Sequence, residues 1–238
     1  MTAALHRRRF GATNYVYLLR QGTDAALVDP GDAAVALALA AEHGAAPRWI
    51  VHTHGHADHS GGSREVAHRL GARVLGHGAD AGWFAPDEDL SGRAELALGA
   101  LRLRVHHVPG HTPGSVLLEW GGHLLTGDTL FWGGCGNCRH GGDVAALARS
   151  FLGVLPPLDG GLRVEPGHDY AEANLPFVLA LEPGNGAAAS RLAAVRVDRA
   201  AGREPAAGTL EEERAVNPFL RAADEGAFVA LRARRDAW

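Results

Sequence analysis

Lysine is missing from this chain: all 23 basic residues among its 238 are arginine. Every cationic contact must therefore come from a planar guanidinium fork instead of a flexible ammonium. Cysteine is almost missing, with Cys135 and Cys138 alone. That excludes a disulfide framework and fits a cytoplasmic protein with both thiols reduced. No apolar run reaches the ~18 residues of a membrane span, so no membrane partner is expected. The opening MTAALHRRRFGATNY has no apolar core segment and does not read as a secretory signal. A net charge of -4 with no basic stripe argues against nucleic acid as a partner. The one dense positive run, His6-Arg7-Arg8-Arg9, is expected to be a solvated N-terminal face.

What is present has the make-up of a globular chain, 46% hydrophobic and 21% charged. Its length allows one large core or two modest ones. Short apolar runs and helical stretches alternate through the first part. NYVYLLR and AALVD read as strands joined by QGTD, and RWIVHT, RVLGH, LRLRVHHV, SVLLEW and HLLTGD as further strands. DAAVALALAAEHG, REVAHRLGA and DVAALARSFLGVL have helical composition, and residues 79–90 read as loop. After Tyr170 only helical segments follow. The expected organisation is an α+β domain over residues 1–169 and a smaller all-helical domain over 170–238.

The stretch THGHADHSGG, residues 53–62, concentrates His54, His56, Asp58 and His59. Imidazole nitrogens and carboxylate oxygens together suit zinc, iron or manganese. In extended chain His54 and His56 project to one side, whereas Asp58 and His59 fall at a helix start and point elsewhere. One tetrahedral ion cannot use all four, so two coordination groups are expected. Further ligands should lie on loops, each beside a glycine: His111 in PGHTPGS, Asp128 in TGDTLF and His168 in EPGHDY. His6, His43, His68, His77, His106, His107, His123 and His140 lack such settings and are expected to be structural or exposed.

H-x-H-x-D-H followed by separate His, Asp and His loops resembles the metallo-β-lactamase superfamily from about Asn14 to Tyr170. The resemblance implies an αββα sandwich with a dinuclear site at one edge. It places one metal ion on His54, His56 and His111, a second on Asp58, His59 and His168, and Asp128 between them. Two divalent ions, zinc first with iron or manganese as alternatives, would activate a water for hydrolysis. Asp58 and Asp128 would then be the catalytic carboxylates. GDTLFWGGCG, PGHDYAEANLPFVLALEP and EEERAVNPFLRA narrow the resemblance to the hydroxyacylglutathione hydrolase (glyoxalase II) family, which adds a C-terminal helical domain. That implies hydrolysis of S-D-lactoylglutathione or a related acyl-glutathione, a small-molecule thioester. Tyr170, Arg232 and Arg235 match the family's glutathione contacts. After GCG the family carries Arg or Lys and then an aromatic two residues on, where this chain has Asn137 and Arg139. Cys135 matches a family cysteine beside the metal loop, while Cys138 has no assigned role. The alternative is a mononuclear iron persulfide dioxygenase of the same fold, which shares HADH and HDY but lacks the long helical tail.

Overall fold

The computed structural model describes residues 3–238. A six-stranded sheet is formed by β1 (Ala3–Phe10), β2 (Asn14–Gln21), β3 (Asp24–Val28), β4 (Trp49–Val51), β5 (Arg73–Gly76) and β6 (Glu88–Asp89), in that spatial order. The first three strands are antiparallel and the remainder parallel. The chain continues through β7 (Glu95–Leu98), β8 (Leu101–His107), β9 (Val116–Trp120) and β10 (His123–Gly127). A small hairpin, β11 (Leu130–Phe131) and β12 (Gly134–Cys135), precedes β13 (Arg163–Pro166). The second sheet has the order β13-β10-β9-β8-β7.

The near-continuous apolar strands of the first sheet follow from burial on both faces. Side chains alternate across a strand with period two. In β2, Tyr15, Tyr17 and Leu19 point into the core shared with the second sheet, whereas Val16 and Leu18 face the opposite way. Those outer residues pack with Ala36 and Leu39 of α1 (Ala33–Glu42) and Val66 of α3 (Ser63–Leu70). Between these two helices lies the four-residue α2 (Ala57–Ser60), and after β5 comes α4 (Ala81–Phe84). This is the α+β sandwich that the motif order implies, with helices outside two facing sheets.

α5 (Val144–Gly153) covers the far side together with α6 (Ala171–Leu181), α7 (Gly186–Ala200), α8 (Leu210–Val216) and α9 (Glu225–Asp236). Asp143, Asn185, Thr209 and Asp224 cap four of these helices by accepting from backbone amides of the first turn. Leu175, Phe177, Leu192, Phe219 and Phe228 of the tail belong to the same buried cluster as Leu118 and Leu125 of the second sheet.

The run His6-Arg7-Arg8-Arg9 is not a solvated face. It is part of β1, paired in register with β2, and alternation turns Arg7 inward. Arg7 pairs with Glu165 at 3.1 Å, donates to the Pro205 carbonyl, and lies over the rings of Tyr15 and Trp132. A buried carboxylate and two aromatic faces compensate its desolvation. The interval 79–90, read as loop, contains α4 and β6. Both are too short for periodicity to reveal.

Candidate metal centre

The chemistry-bearing side chains collect at one edge of the sandwich because loops leaving β4, β8, β10 and β13 emerge there. His54 and His56 follow β4, Asp58 and His59 lie in α2, and His111 lies between β8 and β9. Asp128 and His168 follow β10 and β13. Gly127 takes the left-handed conformation, φ 48°, and a Cβ there would stand 2.4 Å from Thr53 Oγ1. Gly167 needs space and not an unusual turn, since a Cβ would stand 2.4 Å from Asp128 Oδ1.

Two triads form. Ligand-type atoms of His54, His56 and His111 lie within 4.8 Å of one another, as do those of Asp58, His59 and His168. His111 Nε2 stands 3.0 Å from His56 Nδ1, and His59 Nε2 3.1 Å from His168 Nε2. Asp128 lies between the groups, with Oδ2 3.5 Å from His111 Nε2 and 3.3 Å from His168 Nε2, and Oδ1 3.3 Å from His59 Nε2. All seven residues singled out from the motifs therefore meet at one place.

The outer ring nitrogens decide which inner atoms are free to coordinate. His111 Nδ1 donates to the Asn137 carbonyl at 2.7 Å, and His56 Nε2 to the His140 carbonyl at 3.0 Å. A carbonyl only accepts, so the opposite nitrogens, which face each other, carry lone pairs. His168 Nδ1 contacts Thr13 Oγ1 at 3.0 Å, His54 Nδ1 contacts Thr53 Oγ1 at 3.1 Å, and His59 Nδ1 lies 3.4 Å from Asp29 Oδ2. His54 Nε2 and Asp128 Oδ1 are buried without any hydrogen-bond partner. Orphaned buried acceptors of this kind cost ~1–3 kcal/mol each unless something binds them. The donor set thus fits two divalent ions: a neutral His₃ group and an Asp-His₂ group, with one carboxylate between them.

The electrostatics agree. Burial, then the neighbouring His59, lowers the proton affinity of His54 well below that of an ordinary imidazole. Burial also lowers His111. For His59 and His168 burial works in the same direction, but Asp128, with Asp29 or Asp58, outweighs it and raises both. Asp128 is buried, yet the charges of His59 and His168 hold its carboxyl well below the usual range. The negative potential that retains protons on those rings also attracts a cation.

Several residues that hold the centre were not singled out from the sequence. The Asp29 carboxylate accepts from Thr53 N at 2.9 Å and Thr53 Oγ1 at 2.5 Å, beside His52 and His59. Asp80 accepts from Gly55 N, Gly114 N and Thr112 Oγ1 at 2.7–2.8 Å, joining the His54–His56 and His111 loops. Asn14 Nδ2 donates to Asp58 Oδ2 at 2.9 Å. Buried His52 meets Ser63 Oγ at 2.8 Å. An aspartate at the end of an apolar strand, as in LVDPGD, was the available signal for Asp29. Asp80 had none. Of the dismissed histidines, His140 reaches the centre through its backbone carbonyl. His107 instead stacks on His77, with centroids 4.1 Å apart.

A cavity of about 240 Å³ adjoins the second triad, and Tyr170, Asn137, Arg139, Arg232 and Arg235 all line it. Tyr170 stacks parallel on His168, centroids 4.8 Å apart. Arg235 Nη2 donates to Asn174 Oδ1 at 3.2 Å. Arg232 is buried and committed internally, donating to the Cys135 carbonyl at 2.9 Å and to Asp236 at 3.0 Å. Arg139 also bonds Asp236, at 3.2 Å. Asn137 Oδ1 accepts from the Arg139 amide. Burial pushes the Cys135 thiol up to about 12 and Cys138 up to about 11, so neither is a thiolate nucleophile.

An αββα sandwich with seven converging His and Asp side chains at one edge defines a metallo-β-lactamase-type protein, and residues 10–162 match that superfamily. Residues 169–238 match the hydroxyacylglutathione hydrolase C-terminus. A hydroxyacylglutathione hydrolase of Anaeromyxobacter dehalogenans is 65% identical over 97% of this chain and 98% of its own. The chain belongs to the hydroxyacylglutathione hydrolase family. Among solved structures, ETHE1 from Myxococcus xanthus superposes with a TM-score of 0.75 at 24% identity, covering 97% of this chain and 90% of that one. This likeness concerns the fold alone. A di-iron-bound structure shares 31% identity over 69% of this chain and 92% of its own, with a TM-score of 0.59.

Proposed function

We infer that the protein hydrolyses hydroxyacylglutathione thioesters to a hydroxy acid and glutathione. The observation that carries this reading is the 65% identity to a hydroxyacylglutathione hydrolase along nearly the whole of both chains. Fold likeness to ETHE1 at 24% identity gives the dioxygenase alternative no comparable support.

His54, His56 and His111 hold one divalent ion in this reading, and Asp58, His59 and His168 the other, with Asp128 shared. Zinc is the first choice for a nitrogen-rich set, and the di-iron neighbour supports a centre for two ions. When bound, such ions acidify a water and polarise the thioester carbonyl. Asp58, whose side chain is about half exposed at the mouth, is kept ionised by its imidazole neighbours, so it acts as a ligand and positions the attacking water, whose proton passes to bulk solvent. Asn14 orients its carboxylate. Glutathione leaves as a thiolate without needing a general acid, because a thiol pKa near 8.5 makes it a good leaving group. The glutathione moiety lies in the cavity beside Tyr170. Arg235 and Arg139 contact its carboxylates there, and Arg232 fixes the loop bearing Asn137. Two free thiols suit a cytoplasmic location. No helix among the described residues is long and apolar enough to cross a membrane.

The test offers the purified protein S-D-lactoylglutathione, other acyl-glutathiones and acyl-CoA, with metal analysis in parallel. Glutathione thioesters should be cleaved by protein carrying about two ions per chain, and Asp58→Ala should lose chiefly one of them. Oxygen uptake with glutathione persulfide on a single iron, without thioester cleavage, would overturn the reading.

A further inference from the structure

We propose that Trp83 forms an apolar wall of the acyl subsite and selects for acyl groups larger than lactoyl, aromatic 2-hydroxyacyl groups above all. This rests on thioester hydrolysis at the centre described above. Trp83 is 46% exposed. A lone exposed aromatic is ordinary, but here the surroundings hold the indole in place and set it against the metal centre. Its ring meets that of His56 edge-on, with centroids 5.6 Å apart and planes at 66°. Two glycines make room for it. A Cβ on Gly55 would stand 2.7 Å from Trp83 Cε3, and one on Gly141 3.2 Å from Cη2.

The exposure is imposed by the fold. α4 follows Asp80, whose carboxylate is fixed by Gly55, Thr112 and Gly114. The residue after Trp83, Phe84, takes the inward position, 8% exposed and packed on His52 with centroids 4.6 Å apart. Trp83 therefore cannot turn into the core. Orientation of the substrate supplies the occupant. The thiol cavity adjoins the second triad, where Tyr170 stacks on His168. A thioester whose thiol lies there and whose carbonyl lies between the triads presents its acyl substituent to the His56 side, where the indole stands. Aromatic rings in edge-to-face or offset contact gain more than their buried area alone provides.

The experiment compares kcat/KM for the lactoyl and the phenyl-bearing mandeloyl thioesters of glutathione in wild type, Trp83→Ala and Trp83→Leu. Loss of the indole should lower the mandeloyl value by roughly three- to tenfold while the lactoyl value stays within about twofold. Inhibition by free glutathione should not change, because the thiol side is untouched. Equal falls for both substrates, or no fall, would sink the assignment. If Trp83→Ala loses metal, Trp83→Leu, which keeps apolar bulk over Gly55, decides by the same ratio. Failure of wild type to cleave either thioester would instead sink the underlying hydrolase reading.

Discussion

Asp80 shows how much of the centre depends on a residue that coordinates nothing. Its carboxylate receives two backbone amides and a hydroxyl from loops 25 to 34 residues away in sequence. Those donors are buried, and removing their acceptor leaves them without any partner. Asp80→Ala should cost about 3 kcal/mol or more by denaturant unfolding. It should also reduce the ion held by His54, His56 and His111 more than the other. Asp80→Asn, which keeps one acceptor oxygen, should fall between. Wild-type stability and full metal content in Asp80→Ala would show that the loops hold themselves. The ligands were legible because H-x-H-x-D-H requires rare residue types at close spacing. Asp80 was not, since a single aspartate in a loop has the same local appearance whether it caps a turn or ties two loops together, and Asp29 was marked only by its place at the end of an apolar strand.

At the scale of elements, the β11–β12 hairpin is tied to the sandwich through Leu130 and Trp132, and most of its other polar backbone groups are satisfied by the tail. Asn217 Nδ2 donates to the carbonyls of Phe131 and Gly134 at 3.2 and 2.9 Å. Asn174 donates to Trp132 O, Arg232 to Cys135 O, and Glu213 accepts from Gly133 N at 2.9 Å. Asn217 in EEERAVNPFLRA thus has a physical role: it satisfies two buried carbonyls of the hairpin whose Phe131 and Cys135 line the cavity beside Tyr170. Glu213 adds a pH dependence. Burial, opposed by Gly133 N and Arg191, raises its carboxyl to about 7 from the ordinary 4.5. The native state then keeps a proton that the unfolded chain has lost between pH 4.5 and 7. Its stability contribution is full below that window and falls as pH rises through it, by on the order of 3 kcal/mol. Glu213→Gln keeps an acceptor for Gly133 without the charge. Its melting temperature relative to wild type should climb from pH 5 to pH 8, and a constant difference across that range would refute the linkage. Long helices and apolar strands were visible in the sequence through their periodicity. The two-residue strands and α4 were not, because tertiary contacts and not local pattern create them.

For the molecule as a whole, one buried cluster runs from the second sheet into the tail helices. Residues 10–162 and 169–238 match two different family models, yet the two parts should melt together. Far-UV circular dichroism and tryptophan fluorescence should report one coincident transition, and two separated ones would mean independent units. Chelation should lower that transition by on the order of 10 °C, because ions that bind only the native centre stabilise it by mass action. An unchanged midpoint would mean that the centre contributes nothing to folding.

The hairpin held by the tail also governs how such proteins can be recombined. Grafting a foreign helical tail onto this sandwich to alter its thiol preference would remove the partners of five backbone groups in Phe131–Cys135. A functional chimera must therefore import matching residues at positions 174, 213, 217 and 232, or exchange the hairpin along with the tail. The natural unit of exchange is the tail plus a hairpin located some forty residues before it in the chain.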